Sequence, residues 1–280
     1  MKVTAQEALI LLEWYRSAGV DEAIAEVPQD LLAEMPTAGF APRPSISAPS
    51  DSAPRPAKRQ LPERPPSLSA PAAAGAEVSV NIMAARELAR SARTISELRS
   101  LLESFEGCGL KKTATRLCLC RGSAEARVML IGEAPGKDED ARGLPFVGRA
   151  GRLLDRMLAA IELSEKDCYI TNLVFWRPPG NRTPSPEEVQ VCEPFVERQI
   201  ELLRPEILVF LGNAAAKQLT GATEGIMKLR GKWLTYPSAP GLKAIATLHP
   251  AYLLRNPIAK RLAWRDLLAI RDVLDGRKPA

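Results

Sequence analysis

Histidine is almost missing from this 280-residue chain, which has one, His249. A zinc centre built on several imidazoles is thereby excluded, as is any mechanism needing two histidines. Long apolar runs are missing too. The longest, such as residues 8–12 and 207–211, are five residues each, too short for a helix that spans a bilayer. The first 30 residues carry Glu7, Glu13, Asp21, Glu22 and Glu26, which argues against a secretory leader. Five scattered cysteines behind such a start suggest a reducing cytoplasm rather than a disulfide scaffold. A cytoplasmic, bacterial-type and nucleoid-associated protein is the expectation.

What is present is unevenly placed. Residues 1–80 hold 7 Lys+Arg and 10 Asp+Glu, which leaves 31 and 23 in residues 81–280, a net of +8. A basic excess in the later part of the chain is consistent with a polyanion partner; a soluble surface of mixed charge fits the counts equally well.

Residues 1–35 read as a short helical segment, with Ala8, Leu11, Leu12 and Tyr15 at helical spacing. Ten of the 24 prolines fall in residues 36–75, among Ala, Ser and Arg. Such a stretch cannot bury enough surface to offset its ordering entropy, so residues 36–79 read as a disordered linker. Beyond residue 80 the pattern alternates. Thr94 to Glu97 fits a capping box. Apolar strands are predicted at residues 128–131, 169–171, 207–211 and 243–247. Helices are predicted at 151–161, from Ser185-Pro186 to about Leu203, from about Asn213, and at 259–274. Continuous apolar strands separated by helices indicate a parallel sheet covered on both faces. The expectation is a three-layer α/β/α domain over residues 80–276 with a mostly parallel four-stranded sheet.

Ligands in such sheets bind beyond the carboxyl ends of the strands. There the sequence is most unusual. The first strand runs into Gly132-Glu133-Ala134-Pro135-Gly136, the second into Asn172 and the fourth into His249-Pro250. The first loop is neither a Walker loop nor a GxGxxG fingerprint. Phe146, at the mouth of the following helix, suits the core on pattern alone, although a stacking platform is the other reading.

The strings GEAPG…ED..G.PFVGRAG, YITN, RPPGNRTPSPEE and HPAYLLRNP, in this order, resemble the family 4 uracil-DNA glycosylases. The resemblance runs over residues 108–274. It implies a hydrolase of N-glycosyl bonds that flips uracil out of DNA and leaves an abasic site, acting as a monomer on single- or double-stranded DNA in base excision repair. It implies that Asn172 reads the uracil edge, that Phe146 stacks on the flipped ring, and that His249 meets the anion developing at O2. Glu133, Ala134 and Pro135 would frame the base. Glu139 is the expected water-positioning carboxylate, with Glu133 nearer the base. Leu253 and Leu254 would fill the vacated stack, with Arg255, Arg182, Arg230 and Lys232 on phosphates.

Members of that family usually hold a 4Fe–4S cluster on four cysteines. Here only Cys108 and Cys192 match, and the other two positions are Phe105 and Trp176. Two thiolates cannot hold a cubane. The expectation is therefore that the cluster is lost, that Phe105 and Trp176 fill its place, and that no metal is needed for catalysis; Cys118 and Cys120 do not have the usual spacing. Two other functions remain open at this level: a glycosylase for another base (hypoxanthine, xanthine or mismatched thymine), or a non-catalytic DNA-binding protein. The N-terminal segment could dock a protein that the sequence does not name.

Overall fold

The computed structural model describes residues 71–277. The helical reading of residues 1–35 and the linker reading of residues 36–70 lie outside the described residues. In chain order the elements are α1 (Pro71–Ser91), α2 (Ile95–Ser104), β1 (Arg121–Gly122), β2 (Val128–Gly132), α3 (Lys137–Arg142), α4 (Arg149–Ala159) and β3 (Cys168–Asn172). There follow α5 (Pro186–Leu203), β4 (Ile207–Leu211), α6 (Asn213–Thr220), α7 (Ile226–Leu229), β5 (Trp233–Thr235), β6 (Lys243–Thr247), α8 (Pro250–Arg255) and α9 (Lys260–Leu274).

The strands form one sheet in the order β1-β3-β2-β4-β6-β5. The four central strands are parallel, as their apolar runs require. Two short antiparallel strands, β1 and β5, extend the edges, so the sheet has six strands rather than four. Alternation across the pleat splits the core. Met129, Ile131, Tyr169, Leu208 and Phe210 face α1, α2, α5 and α6. Val128, Leu130, Ile170, Val209 and Ile245 face α4 and α9. The result is the expected three layers. None of the described helices is long and apolar enough to cross a membrane.

Local signals set the helix ends. The Thr94 hydroxyl accepts from Glu97 N–H at the start of α2, while Glu97 accepts from Arg93 N–H, one residue before the cap. Ser185 and Glu188 form the full reciprocal box at α5, with Pro186 in the first turn. One boundary differs from the sequence reading. Helix α1 begins at Pro71, inside the stretch read as linker; its opening Pro-Ala-Ala-Ala looks like low complexity yet is rich in the best helix former.

This topology creates the site. From β2 the chain moves to β3 on one side, and later to β4 on the other. The loops leaving the carboxyl ends of β2 and β4 therefore diverge and leave a crevice between them.

Candidate active site

A cavity of about 540 Å³ opens at that crevice. Glu133 to Gly136 from the loop after β2, Asn172 at the end of β3, and His249 after β6 all line it, together with Phe146 and Glu139. A larger cavity of about 720 Å³, between the end of α5 and residues 236–242, contains none of these groups.

Asn172 is almost wholly buried, and its Oδ1 has no hydrogen-bond partner among the described residues. A buried unsatisfied acceptor costs roughly 1–3 kcal/mol, which makes it a prime position for a ligand donor. It lies against Gly132, the last residue of β2. A Cβ there would fall 2.5 Å from Asn172 Oδ1 and 2.5 Å from Phe146 Cζ. Glycine is thus what lets amide and ring converge.

Phe146 is both of the things its sequence allowed. Its ring is 6% exposed and packs with Leu154 and Leu158 beneath the sheet, yet it also walls the cavity. Its backbone has φ +54°, a left-handed conformation that a bulky residue adopts only under constraint. The constraint is visible at Gly151, where an added Cβ would sit 1.6 Å from the Phe146 carbonyl oxygen. The Phe146 and His249 rings lie 5.6 Å apart, centroid to centroid, and 34° from coplanar.

His249 caps α8, and its Nδ1 accepts from Ala251 N–H at 3.1 Å. A neutral ring that accepts at Nδ1 carries its proton on Nε2, so it offers one donor. Burial, reinforced by the positive charge of Arg255, pushes the ring's pKa down to about 4. At neutral pH the imidazole is uncharged.

The two carboxylates differ sharply. Glu139 is tied into the loop: Oε1 accepts from Val147 and Gly148 N–H at 3.1 and 2.9 Å, and Oε2 from Gly136 N–H at 3.1 Å. Both oxygens are thus engaged by backbone N–H groups at the caps of α3 and α4, so Glu139 braces the loop while its side chain still lines the cavity. Glu133 is partly buried and has only a Thr183 hydrogen bond to hold its proton affinity down. Burial outweighs that bond and raises its pKa.

Several expected DNA contacts lie elsewhere. Leu253 is fully buried with Leu153, Leu248 and Ala263, and Leu254 packs against the same cluster. Leu253 therefore has no exposed surface with which to enter a base stack, while Leu254 is only partly buried. Arg230 is paired with the buried Asp266, which also accepts from Thr247 at 2.7 Å; this links α9 to the sheet and takes Arg230 away from phosphate duty. Arg182 lines the cavity but is held bidentate by Glu188, at 2.9 and 2.6 Å. Lys232 is exposed and does not line the cavity. Arg255 lines the mouth and is exposed. Sequence reasoning missed Tyr252 and Thr183 as lining residues. For Tyr252 the signal was available: in α8, Pro250 and Leu253 take one face, and Ala251, Tyr252 and Arg255 the other.

The cysteine positions do not fit a four-iron cluster. Cys108 and Cys192 are buried with their Sγ atoms 3.8 Å apart. Phe105 and Trp176 are buried in the same core, the Phe105 ring 5.3 Å from Phe195 and the Trp176 ring 6.3 Å from Phe175. Cys118 is directed to the Glu139 carbonyl at 3.2 Å. Among the described residues no three Cys, His, Asp or Glu side chains are grouped as a metal site.

The family model described as the uracil DNA glycosylase superfamily matches residues 120–268. A type-4 uracil-DNA glycosylase of Archaeoglobus fulgidus is 39% identical over 181 residues, 63% of this chain and 91% of that protein. One from Thermotoga maritima is 42% identical over 150 residues, 53% of this chain and 77% of its own length. One from Saccharolobus solfataricus is 40% identical over 177 residues, 61% and 82%.

Proposed function

The chain belongs to the uracil-DNA glycosylase superfamily, and on that premise we propose that it releases uracil from DNA by hydrolysing the N-glycosidic bond. The observation that carries this reading is the buried, unpartnered Asn172 oxygen beside Phe146 and His249. A pyrimidine in a duplex is out of reach, so the base must rotate into the cavity at a cost of a few kcal/mol. There Asn172 Oδ1 accepts from uracil N3–H and its amide donates to O4. Cytosine presents the reverse pattern. Phe146 supplies the stacking face.

The C1′–N1 bond breaks with its electron pair passing to the uracil ring, largely onto O2. His249 Nε2–H donates to that oxygen. The neutral ring keeps this one N–H while Nδ1 accepts from Ala251, and it remains uncharged in a desolvated site. A water oxygen bonds to C1′ of the oxocarbenium-like sugar. We assign its proton to Glu133, because burial makes that carboxylate a better base than an exposed one, whereas Glu139 is engaged by three backbone N–H groups. Arg255 at the mouth meets a phosphate. We propose that the domain works without a 4Fe–4S cluster, a reading supported by the burial of Phe105 and Trp176, which cannot ligate iron, in the core that holds Cys108 and Cys192.

The test uses the full chain and a single-stranded oligonucleotide containing one uracil. Free uracil and an alkali-labile strand are the expected products. His249→Ala should slow release by roughly 10²–10³-fold, as removal of an anion-stabilising donor does elsewhere. Tight DNA binding with no base release would instead support the binding-protein alternative.

A further inference from the structure

We propose that Tyr252 is the side chain that fills the gap left in the duplex when the base turns out, a part which the family resemblance gave to Leu253 and Leu254. The inference rests on the uracil-glycosylase reading of the same cavity. Its first support is the packing of α8. Leu253 is 0% exposed, while Tyr252, the preceding residue, is 37% exposed. A fully buried leucine cannot reach DNA without unpacking Leu153, Leu248 and Ala263 around it. The second support is position. Tyr252 lines the cavity that holds Asn172 and His249, one helical turn past His249 and one before Arg255. A group there stands between the pocket that would receive the base and the arginine that would hold the backbone.

The third support is chemical. Among the described residues the Tyr252 side chain makes no hydrogen bond, ion pair or ring contact, so nothing in the fold requires a large aromatic at this exposed position. An extruded base leaves two neighbouring base faces and an unpaired partner in contact with water. A flat ring can cover these faces irrespective of sequence, and its phenol oxygen can stay at the wet edge of the groove. Filling that gap matters only in a duplex. A single strand has no paired partner to reclaim the base and no continuous stack to repair.

The experiment measures uracil release by the full chain on one uracil sequence, single-stranded and paired with a complementary strand. Tyr252→Ala should lower the ratio of duplex to single-strand rate by roughly tenfold or more, the scale expected of a lost base–aromatic stack. Tyr252→Phe, which keeps the ring, should restore most of that ratio. Equal losses on both substrates, including a general loss through misfolding, would overturn the proposal, as would an unchanged ratio. Failure of the wild type to release uracil from either substrate is a different result: it would remove the glycosylase reading itself.

Discussion

Gly132→Ala replaces a hydrogen with a methyl group at the point where the site is tightest. The new Cβ would lie 2.5 Å from Asn172 Oδ1 and from Phe146 Cζ, against 3.4–4 Å for ordinary contact. Amide and ring must together retreat by about 1 Å. Gly132 does not have a positive φ, so the backbone accepts alanine and the effect is one of space. Neither neighbour yields easily. Asn172 ends a fully buried central strand, and Phe146 is fixed by the close approach of Gly151. Overpacking of this kind costs about 1–3 kcal/mol of stability. A misplacement near 1 Å in a catalytic array costs on the order of 10²-fold in rate. Single-turnover uracil release on a single-stranded substrate, paired with a thermal melt, measures both. The expected result is a folded protein with release slowed by roughly 10²-fold. Wild-type release by a folded Gly132→Ala protein would show that amide and ring do not act together on the base.

Glu133→Gln should slow release by roughly 10²–10⁴-fold with little change in the melting temperature, whereas Glu139→Gln should lower the melting temperature because one oxygen of a three-fold backbone acceptor is lost. If Glu139→Gln melts like the wild type while being inactive, the two roles are reversed. The folded His249 has a pKa of about 4 against the ordinary 6.5, so the unfolded chain takes up that proton first. Stability from this group is complete above pH 6.5 and is lost as pH falls towards 4, by at most about 3 kcal/mol; melts of wild type and His249→Gln across that range test it, and a parallel pair of curves would contradict it. Elemental analysis should find essentially no iron in protein purified without oxygen, against about four per chain for a 4Fe–4S cluster.

The layered fold was legible because its strands are apolar on both faces, and the caps at Thr94 and Ser185 mark their helices by side-chain chemistry alone. Strands β1 and β5 were not legible: two and three residues long, they exist only because a neighbouring strand offers its edge. The convergence of Gly132, Asn172 and His249 followed from strand order. Three assignments within the loops did not follow. Glu139 sits three residues after the Gly136 cap of α3, the spacing of a capping glutamate, but glycine in place of serine hides the signal. Leu253 was expected as a wedge on the family resemblance alone; the helical turn starting at Pro250 turns it inward. Arg230 looked free because its partner Asp266 lies 36 residues away in sequence, on α9. Phe146 illustrates a different limit. Its left-handed backbone comes from the approach of a later helix, which no local propensity encodes.

The central claim is that the lone buried oxygen of Asn172 receives the N3–H of a flipped uracil. Matched oligonucleotides carrying either uracil or N3-methyluracil, cleaved by the full chain in single-stranded form, examine it at the substrate rather than the protein. Methylation removes the donor and places a carbon against the oxygen. Loss of that hydrogen bond and the clash should slow release by about 10²-fold or more. Equal rates for the two bases would contradict the account.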